Sequence, residues 1–371
     1  MKLIYLTAKS YPATTADHLF VKQMARAFAE LLQSDFSLFI AGSIPEELHD
    51  CNPISVSAPA RFKSAFYFFW IPYFILSSGY NSRETVFFSS DSNLLTLLIM
   101  WRRALGLRYR VVSEWHMLFN NRKDGFVMRG SDALITTTSH LKDLIVRSFA
   151  IPPGRITVAY GGVDLGDFPK GAKDGEDLRG RLGLPKKAFL VGYIGFFKTM
   201  GMEKGLRVMI EALKHLADPQ LRMVFVGGRP GEIEAYRRFA AQEGVVERCI
   251  FIPAVPSGEV PVWERVMDVL VIPYPDERHF RDYGFPMKAY EYMASGRPIV
   301  YSDLPIIREV LNDCAIAFIP GDAADFAAKI NAIQHSPSSY NGLVAVARAK
   351  VERFSWRERA LAIVQAAKAL Y

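Results

Sequence analysis

The chain has 371 residues, half of them hydrophobic and 22% charged, which suits two α/β domains with substantial cores and excludes an extended disordered protein. Its net charge is +7, of which +4 falls in residues 1–170, where 18 Lys and Arg face 14 Asp and Glu; no recognition motif accompanies the excess, so an anionic membrane surface or anionic substrate explains it more simply than nucleic acid. The three cysteines, Cys51, Cys249 and Cys314, lie far apart without CxxC spacing, which argues against a disulfide framework or zinc site and makes a reducing compartment the default.

The chain opens on Met-Lys-Leu-Ile-Tyr-Leu-Thr, a short strand without the apolar core and cleavage site of a secretory signal. The expected location is the cytoplasm, with the inner face of a membrane as a candidate contact. After the strand Leu3 to Thr7 comes a loop rich in Pro, Thr and Ala, then a helix from about His18 to Leu32 with Phe20, Met24, Ala27, Phe28 and Leu31 at helical spacing. Phe36 to Ala41 reads as the next strand. The segment from Arg61 to Leu76 is unusual: nine of residues 61–80 are aromatic, and the apolar run from Ala65 to Leu76 is too short to span a bilayer, which needs about 20 residues. Two readings stand, a helix lying in a membrane interface beside Arg61 and Lys63, or a core helix. Seven basic and two acidic residues between Arg102 and Arg129 extend the first reading.

Val86 to Ser89, Tyr109 to Ser113 and Ala133 to Thr137 are further strands with helices between them. Ile156 to Asp164 reads as the last strand of this series, and Gly171 to Gly180, rich in Gly, Lys and Asp, as a linker. A second series begins at Phe189 to Gly195 and continues with Met223 to Gly228, Cys249 to Pro253 and Val269 to Pro273, ending in a helix from Trp356 to about Leu370. Two mostly parallel, doubly wound sheets follow from this rhythm, with ligands at the carboxyl ends of the strands.

Residues 286–310 are the most informative stretch. Pro286 suits the first position of a helix, where its missing N–H costs nothing. A helix start reached through Gly284 offers free N–H groups and a partial positive charge to a phosphate. Lys288 lies in the first turn, and Glu291 can accept hydrogen bonds from a vicinal diol such as a ribose. Gly296 ends the helix before the strand at Pro298-Ile299-Val300. Together they make a nucleotide-diphosphate site.

The stretch closely resembles the donor-site signature of retaining glycosyltransferases of family four, in the branch that reads Ser-Pro-Leu/Met-Lys-x-Phe-Glu-Tyr-Met-Ala-x-Gly-x-Pro-Ile-Val. The resemblance extends over essentially the whole chain. It implies a GT-B fold, an α/β architecture of two Rossmann-like domains with a cleft between them and a C-terminal helix crossing back to the first. The acceptor-side domain would be residues 1–170 with 356–371, and the nucleotide-sugar domain residues 171–355.

The same resemblance implies the site. Donor contacts fall on Pro286, Met287, Lys288, Glu291 and Tyr283, the last standing where many family members have a Glu. Val226-Gly227-Gly228-Arg229 and Phe251-Ile252-Pro253 match the segments around the base, so Gly228, Arg229, Ile252 and Pro253 join the donor set. In the turn Gly195 to Gly205, Lys204 occupies the second of the family's two basic positions against the pyrophosphate. The first, usually Arg, is missing, and Lys198 is its candidate replacement. His116, in Glu114-Trp115-His116, matches the family's Glu-x-His near the transferred sugar, and Asp17 and His18 fall where acceptor contacts are expected.

The other six histidines have no metal-ligand spacing and no Asp-x-Asp motif has a suitable context, so neither metal nor cofactor is called for. The expected partners are a nucleotide-sugar donor and a glycan or lipid-linked acceptor. The reading is a retaining, metal-independent hexosyltransferase acting on a hydroxyl of a membrane-linked or cell-surface glycan precursor. A sugar-nucleotide epimerase or hydrolase, and a non-catalytic nucleotide-sugar- or glycan-binding partner protein, stay open at this point.

Overall fold

The computed structural model describes residues 1–11, 16–56, 61, 63–169, 176–284 and 287–371. The chain divides into two compact units, Met1–Gly162 with Trp356–Tyr371, and Val163–Ser355. The division falls at Gly162, ahead of the linker expected at residues 171–180, part of which lies outside the described residues. Its physical basis is local: Val163 donates its N–H to the Phe354 carbonyl at 2.9 Å and bridges Ser355, so the chain enters and leaves the second unit side by side.

In the first unit the strands are β1 (Lys2–Tyr11), β2 (Phe36–Gly42), β3 (Pro53–Val56), β4 (Thr85–Ser89), β5 (Arg110–Trp115), β6 (Ala133–Thr136) and β7 (Ile156–Val158). They are parallel and ordered β3-β2-β1-β4-β5-β6-β7. The helices between them are α1 (Ala16–Leu32), α2 (Lys63–Ser77), α3 (Ser92–Leu105), α4 (Arg122–Gly130) and α5 (Ser139–Phe149). The period of two along β2 sends its residues to two layers. Leu38 and Ile40 join the core under α1, whereas Phe39 meets Trp70 and Phe74 of α2. Asp91 caps α3, accepting from the N–H groups of Asn93 and Leu94 at 2.8 and 3.2 Å, and Gly106 closes it at φ +63°.

α2 shows how sequence and packing combine. Pro72 has no N–H to give to the carbonyl four residues back, at Phe68. The indole N–H of Trp101, on α3, donates to that carbonyl at 2.8 Å instead. Tyr67, Ile71, Phe74 and Ile75 are buried, and Trp70 packs against Phe39 and Phe74. The core reading of residues 61–76 therefore holds for the inner face, and Trp70 belongs to that side. Phe69, Tyr73 and Leu76 point outward and are exposed.

The second unit repeats the plan with β8 (Leu190–Ile194), a small hairpin of β9 (Lys198–Thr199) and β10 (Met202–Glu203), β11 (Arg222–Gly228), β12 (Cys249–Pro253), β13 (Val269–Ile272), β14 (Ile299–Ser302) and β15 (Ile316–Phe318). Its helices are α6 (Glu176–Arg181), α7 (Leu206–Ala212), α8 (Pro230–Gln242), α9 (Val260–Arg265), α10 (Arg278–Asp282), α11 (Lys288–Ser295), α12 (Pro305–Leu311), α13 (Ala323–His335) and α14 (Asn341–Lys350). The main sheet is parallel in the order β12-β11-β8-β13-β14-β15. Counted within the unit this is 3-2-1-4-5-6, the doubly wound order whose direction reverses beside the first strand, here between β8 and β13.

The last helix, α15 (Trp356–Lys368), belongs to the first unit. Its Ala360, Ile363, Val364 and Ala367 join Met24, Ala25 and Phe28 of α1 in one buried cluster. Several large apolar side chains removed from water, each contributing roughly 1.5–3 kcal/mol, fix this helix on α1.

Candidate functional site

In the second unit the site grows out of the carboxyl ends of β8, β11, β12 and β13. Gly195 follows β8 at φ +135°, and a Cβ there would lie 2.6 Å from the Lys288 ammonium. Gly227, next to last in β11, has φ +116°, and a Cβ there would lie 2.5 Å from the Gly195 carbonyl oxygen. Both positions need glycine, because the backbones and Lys288 fill the space a side chain would use. The Ala254 N–H donates to the Gly228 carbonyl at 3.2 Å and draws the end of β12 alongside. Ile252 is half-buried and Pro253 exposed.

α11 is tied to this edge by Tyr292, whose hydroxyl accepts the Ile194 N–H at 3.0 Å. Pro286 lies outside the described residues. Met287, half-buried, takes the N-cap position of α11, and Gly296 closes the helix at φ +73°. Lys288 is buried, with its ammonium 5.1 Å from the centre of the Tyr193 ring. Burial lowers its pKa, opposed by Glu291 and Glu264. Burial raises that of Glu291, opposed by Lys288 and reinforced by Asp167. Sequence reasoning missed Glu264, on α9. It is fully buried, its carboxylate oxygens have no hydrogen-bond partner among the described residues, and burial with Glu291 nearby raises its pKa well above the usual range.

The segment from Gly195 to Gly205, expected as a plain strand-to-helix turn, contains the hairpin of β9 and β10, closed by Lys204 N–H donating to Phe197 at 3.1 Å. Lys204 is half-buried, 6.0 Å from the Tyr274 ring. Burial and the neighbouring Lys288, against a weaker pull from Glu232, push it down to about 7. Two ammonium groups held close in a poorly hydrated edge are poised for an anion. Lys198 and Arg229 are more exposed than this pair. Lys198 is exposed and faces Glu203 at 3.8 Å. Arg229 is exposed and starts α8, its N–H bonded to Glu232 at 3.0 Å. Tyr283 is buried just after α10, its hydroxyl accepting from Arg278 at 3.1 Å.

The first unit offers a second cluster. β5 runs to Trp115, two residues further than expected, so Glu114 lies inside it and His116 just beyond it. Glu114 is fully buried between the His116 imidazole and the Arg359 guanidinium. His116 Nε2 lies 3.2 Å from its Oε2, and Arg359 of α15 donates to its Oε1. Burial pushes the Glu114 carboxyl up, but His116 and Arg359 outweigh it and hold the group below its ordinary value. Arg359 also donates to the carbonyls of Ala159 and Tyr160 and stacks 5.0 Å over Phe20, whose ring stands edge-on to His116 at 4.9 Å. His116 is thus aimed by a buried pair, with a ring nitrogen left to meet a hydroxyl. Asp17 and His18 fall in the first turn of α1; His18 is half-buried, and the Asp17 side chain lies outside the described residues.

Residues 188–336 match the family model described as Glycosyl transferases group 1. A D-inositol 3-phosphate glycosyltransferase of Xylanimonas cellulosilytica is 32% identical over 247 residues, 64% of this chain and 57% of that protein. Its counterpart in Thermomonospora curvata is 29% identical over 244 residues, 62% of this chain and 55% of that one. The chain thus spans little more than half the length of these curated relatives. Among solved structures, a glycosyltransferase from Rickettsia africae aligns with a TM-score of 0.80 at 14% identity, covering 100% of this chain and 98% of its own. Anabaena HepE in complex with UDP aligns at 0.75 with 15% identity over the whole of both chains. These two likenesses speak for the fold. The chain thus has the GT-B fold, and its residues 188–336 are similar to the group 1 glycosyl transferases.

Proposed function

We propose that the protein is a retaining glycosyltransferase that moves a sugar from a nucleoside diphosphate to a hydroxyl. The observation that carries this reading is the set of Lys288, Lys204 and Glu291 gathered at the switch point of the second sheet, within the segment matched to the family. The two ammonium groups and the N-terminal end of α11 would hold the pyrophosphate, and Glu291 the ribose hydroxyls. Uridine is the base to test first, because a structural neighbour was crystallised with UDP.

Among the described residues no side chain offers an obvious covalent nucleophile, and this favours attack from the same face as the departing group. The C1–O bond to the diphosphate breaks, and the acceptor oxygen bonds to C1. The acceptor's proton passes to the leaving phosphate oxygen. Lys204 and Lys288 take up the charge that grows on the diphosphate, and such charge neutralisation supplies rate only where it strengthens toward the transition state. His116, held by Glu114, would bond a sugar or acceptor hydroxyl. A membrane-linked glycan precursor remains the acceptor class proposed, and an inositol phosphate, from the names of the relatives, is the second to try.

The test is nucleotide release. Purified protein with UDP-sugars should liberate UDP only when a hydroxyl acceptor is added, and the new glycoside should keep the donor's anomeric configuration. Release without acceptor would point to a hydrolase. Failure to bind any nucleotide-sugar would remove the proposal altogether.

A further inference from the structure

We propose that the outward face of α2, with the arginines that flank it, is a docking surface for an anionic lipid bilayer. A surface helix ordinarily turns polar residues to solvent. α2 does not. Phe69, Tyr73 and Leu76 recur at intervals of four and three residues on one stripe and are 70%, 68% and 55% exposed. No charged residue interrupts the run from Ala65 to Leu76. The inner face of the helix is already engaged by the core, and Trp101 fixes the helix through the carbonyl that Pro72 leaves unpaired. The stripe is therefore presented on a rigid support.

Its surroundings are predominantly basic. Residues 61–110 hold seven basic and two acidic side chains. Arg61 is exposed just ahead of α2. Arg103, also exposed, lies in the last turn of α3, the helix that packs on α2 through Trp101 and Phe68, and the exposed Leu105 follows it. Arg108 is exposed beyond the far end of α2, where its N–H donates to Asn81 at 2.8 Å. Aromatic rings at headgroup depth with arginines against lipid phosphates make the usual interfacial pairing.

A second copy of the chain fits this face poorly. A stable dimer buries about 800 Å² per partner, more than three side chains supply, and a two-fold contact would set these arginines against their own copies. No helix among the described residues is long and apolar enough to cross a membrane, so the contact is one of lying on the bilayer.

Flotation with vesicles of mixed phosphatidylglycerol and phosphatidylcholine tests this on the intact protein, with no nucleotide present. Binding should be strong at low salt, weaker at high salt, and slight to phosphatidylcholine alone. The double variant Phe69→Ser/Tyr73→Ser should float at least about tenfold less, since burying one ring contributes on the order of a factor of ten. Its melting temperature should stay near the parent's, because both rings are already exposed. Should that variant not fold, Arg103→Gln/Arg108→Gln should selectively lose binding to the anionic vesicles. The proposal is overturned if the parent ignores anionic vesicles, or if both double variants float as the parent does. It is also overturned if the parent forms dimers that Phe69→Ser/Tyr73→Ser dissolves, which would assign the face to a second copy.

Discussion

At the scale of single residues, Lys204 makes the sharpest pH prediction. In the proposed role its ammonium faces a diphosphate, yet burial and Lys288 bring it down to about 7. A bound diphosphate favours the charged form and raises the pKa again. Below pH 7 the proton is already in place. Above it, binding must take a proton up, so donor affinity falls by up to about tenfold per pH unit. Calorimetry of a nucleotide-sugar at pH 8 in buffers of different ionisation enthalpy should register proton uptake, and Lys204→Arg should abolish it. Uptake unchanged in Lys204→Arg would place the proton elsewhere. Glu291→Ala should weaken nucleotide binding strongly, since each charge-assisted hydrogen bond contributes about 1.5–3 kcal/mol; equal affinity in the variant would take Glu291 out of the site. Arg359 concerns stability. Arg359→Met strands the buried Glu114 carboxylate and should cost about 3–5 kcal/mol in urea unfolding. Adding Glu114→Gln should recover much of that loss. A single-variant cost below about 1 kcal/mol would mean that water or His116 alone satisfies Glu114.

At the scale of elements, α2 and α3 are coupled by one hydrogen bond that a proline makes necessary. Trp101→Phe leaves the Phe68 carbonyl with neither the indole nor an i+4 N–H, and should destabilise the protein by about 1–3 kcal/mol. Hydrogen exchange in α2 should quicken correspondingly; unchanged exchange would show that water replaces the indole. The elements best legible in the sequence are those buried on both faces, because parallel strands in a covered sheet read as unbroken apolar runs. β4, β8 and β13 are of this kind. β3 and β15 were not legible: they are three- or four-residue edge strands, partly exposed, with no pattern of their own. The hairpin of β9 and β10 escaped because two-residue strands have no period. At the site, Lys288 and Glu291 were legible because their spacing is local. Arg359 was not, since its partner Glu114 lies 245 residues away. The only local sign was an arginine in register with Ile363 and Ala367 on the buried face of α15. Glu264 gave less warning still, for nothing near it in sequence marks a carboxylate that folding leaves without a hydrogen-bond partner among the described residues.

At the scale of the whole molecule, one chain builds the same doubly wound sheet twice and gives the two copies different chemistry. In the second sheet the switch-point glycines leave room for a buried lysine, where the proposed diphosphate would sit. In the first, a buried carboxylate and a guanidinium aim a histidine. If that division of labour is right, nucleotide should stabilise one sheet and leave the other as it was. Ligand present at 100 times its dissociation constant adds about 2.7 kcal/mol to the unfolding free energy of the unit that holds it. The slowest-exchanging amides report that free energy, because they open only with their unit. With UDP at that ratio, the slowest amides of β8, β11 and β13 should gain about 2.7 kcal/mol of protection, and those of β1, β4 and β5 should gain none. The comparison needs no acceptor and no turnover, so it separates donor binding from catalysis. Equal gains in the two sheets would mean that the units open together or that both hold the nucleotide. Gains confined to β1, β4 and β5 would place the nucleotide in the first unit and leave Lys288, Lys204 and Glu291 without their ligand.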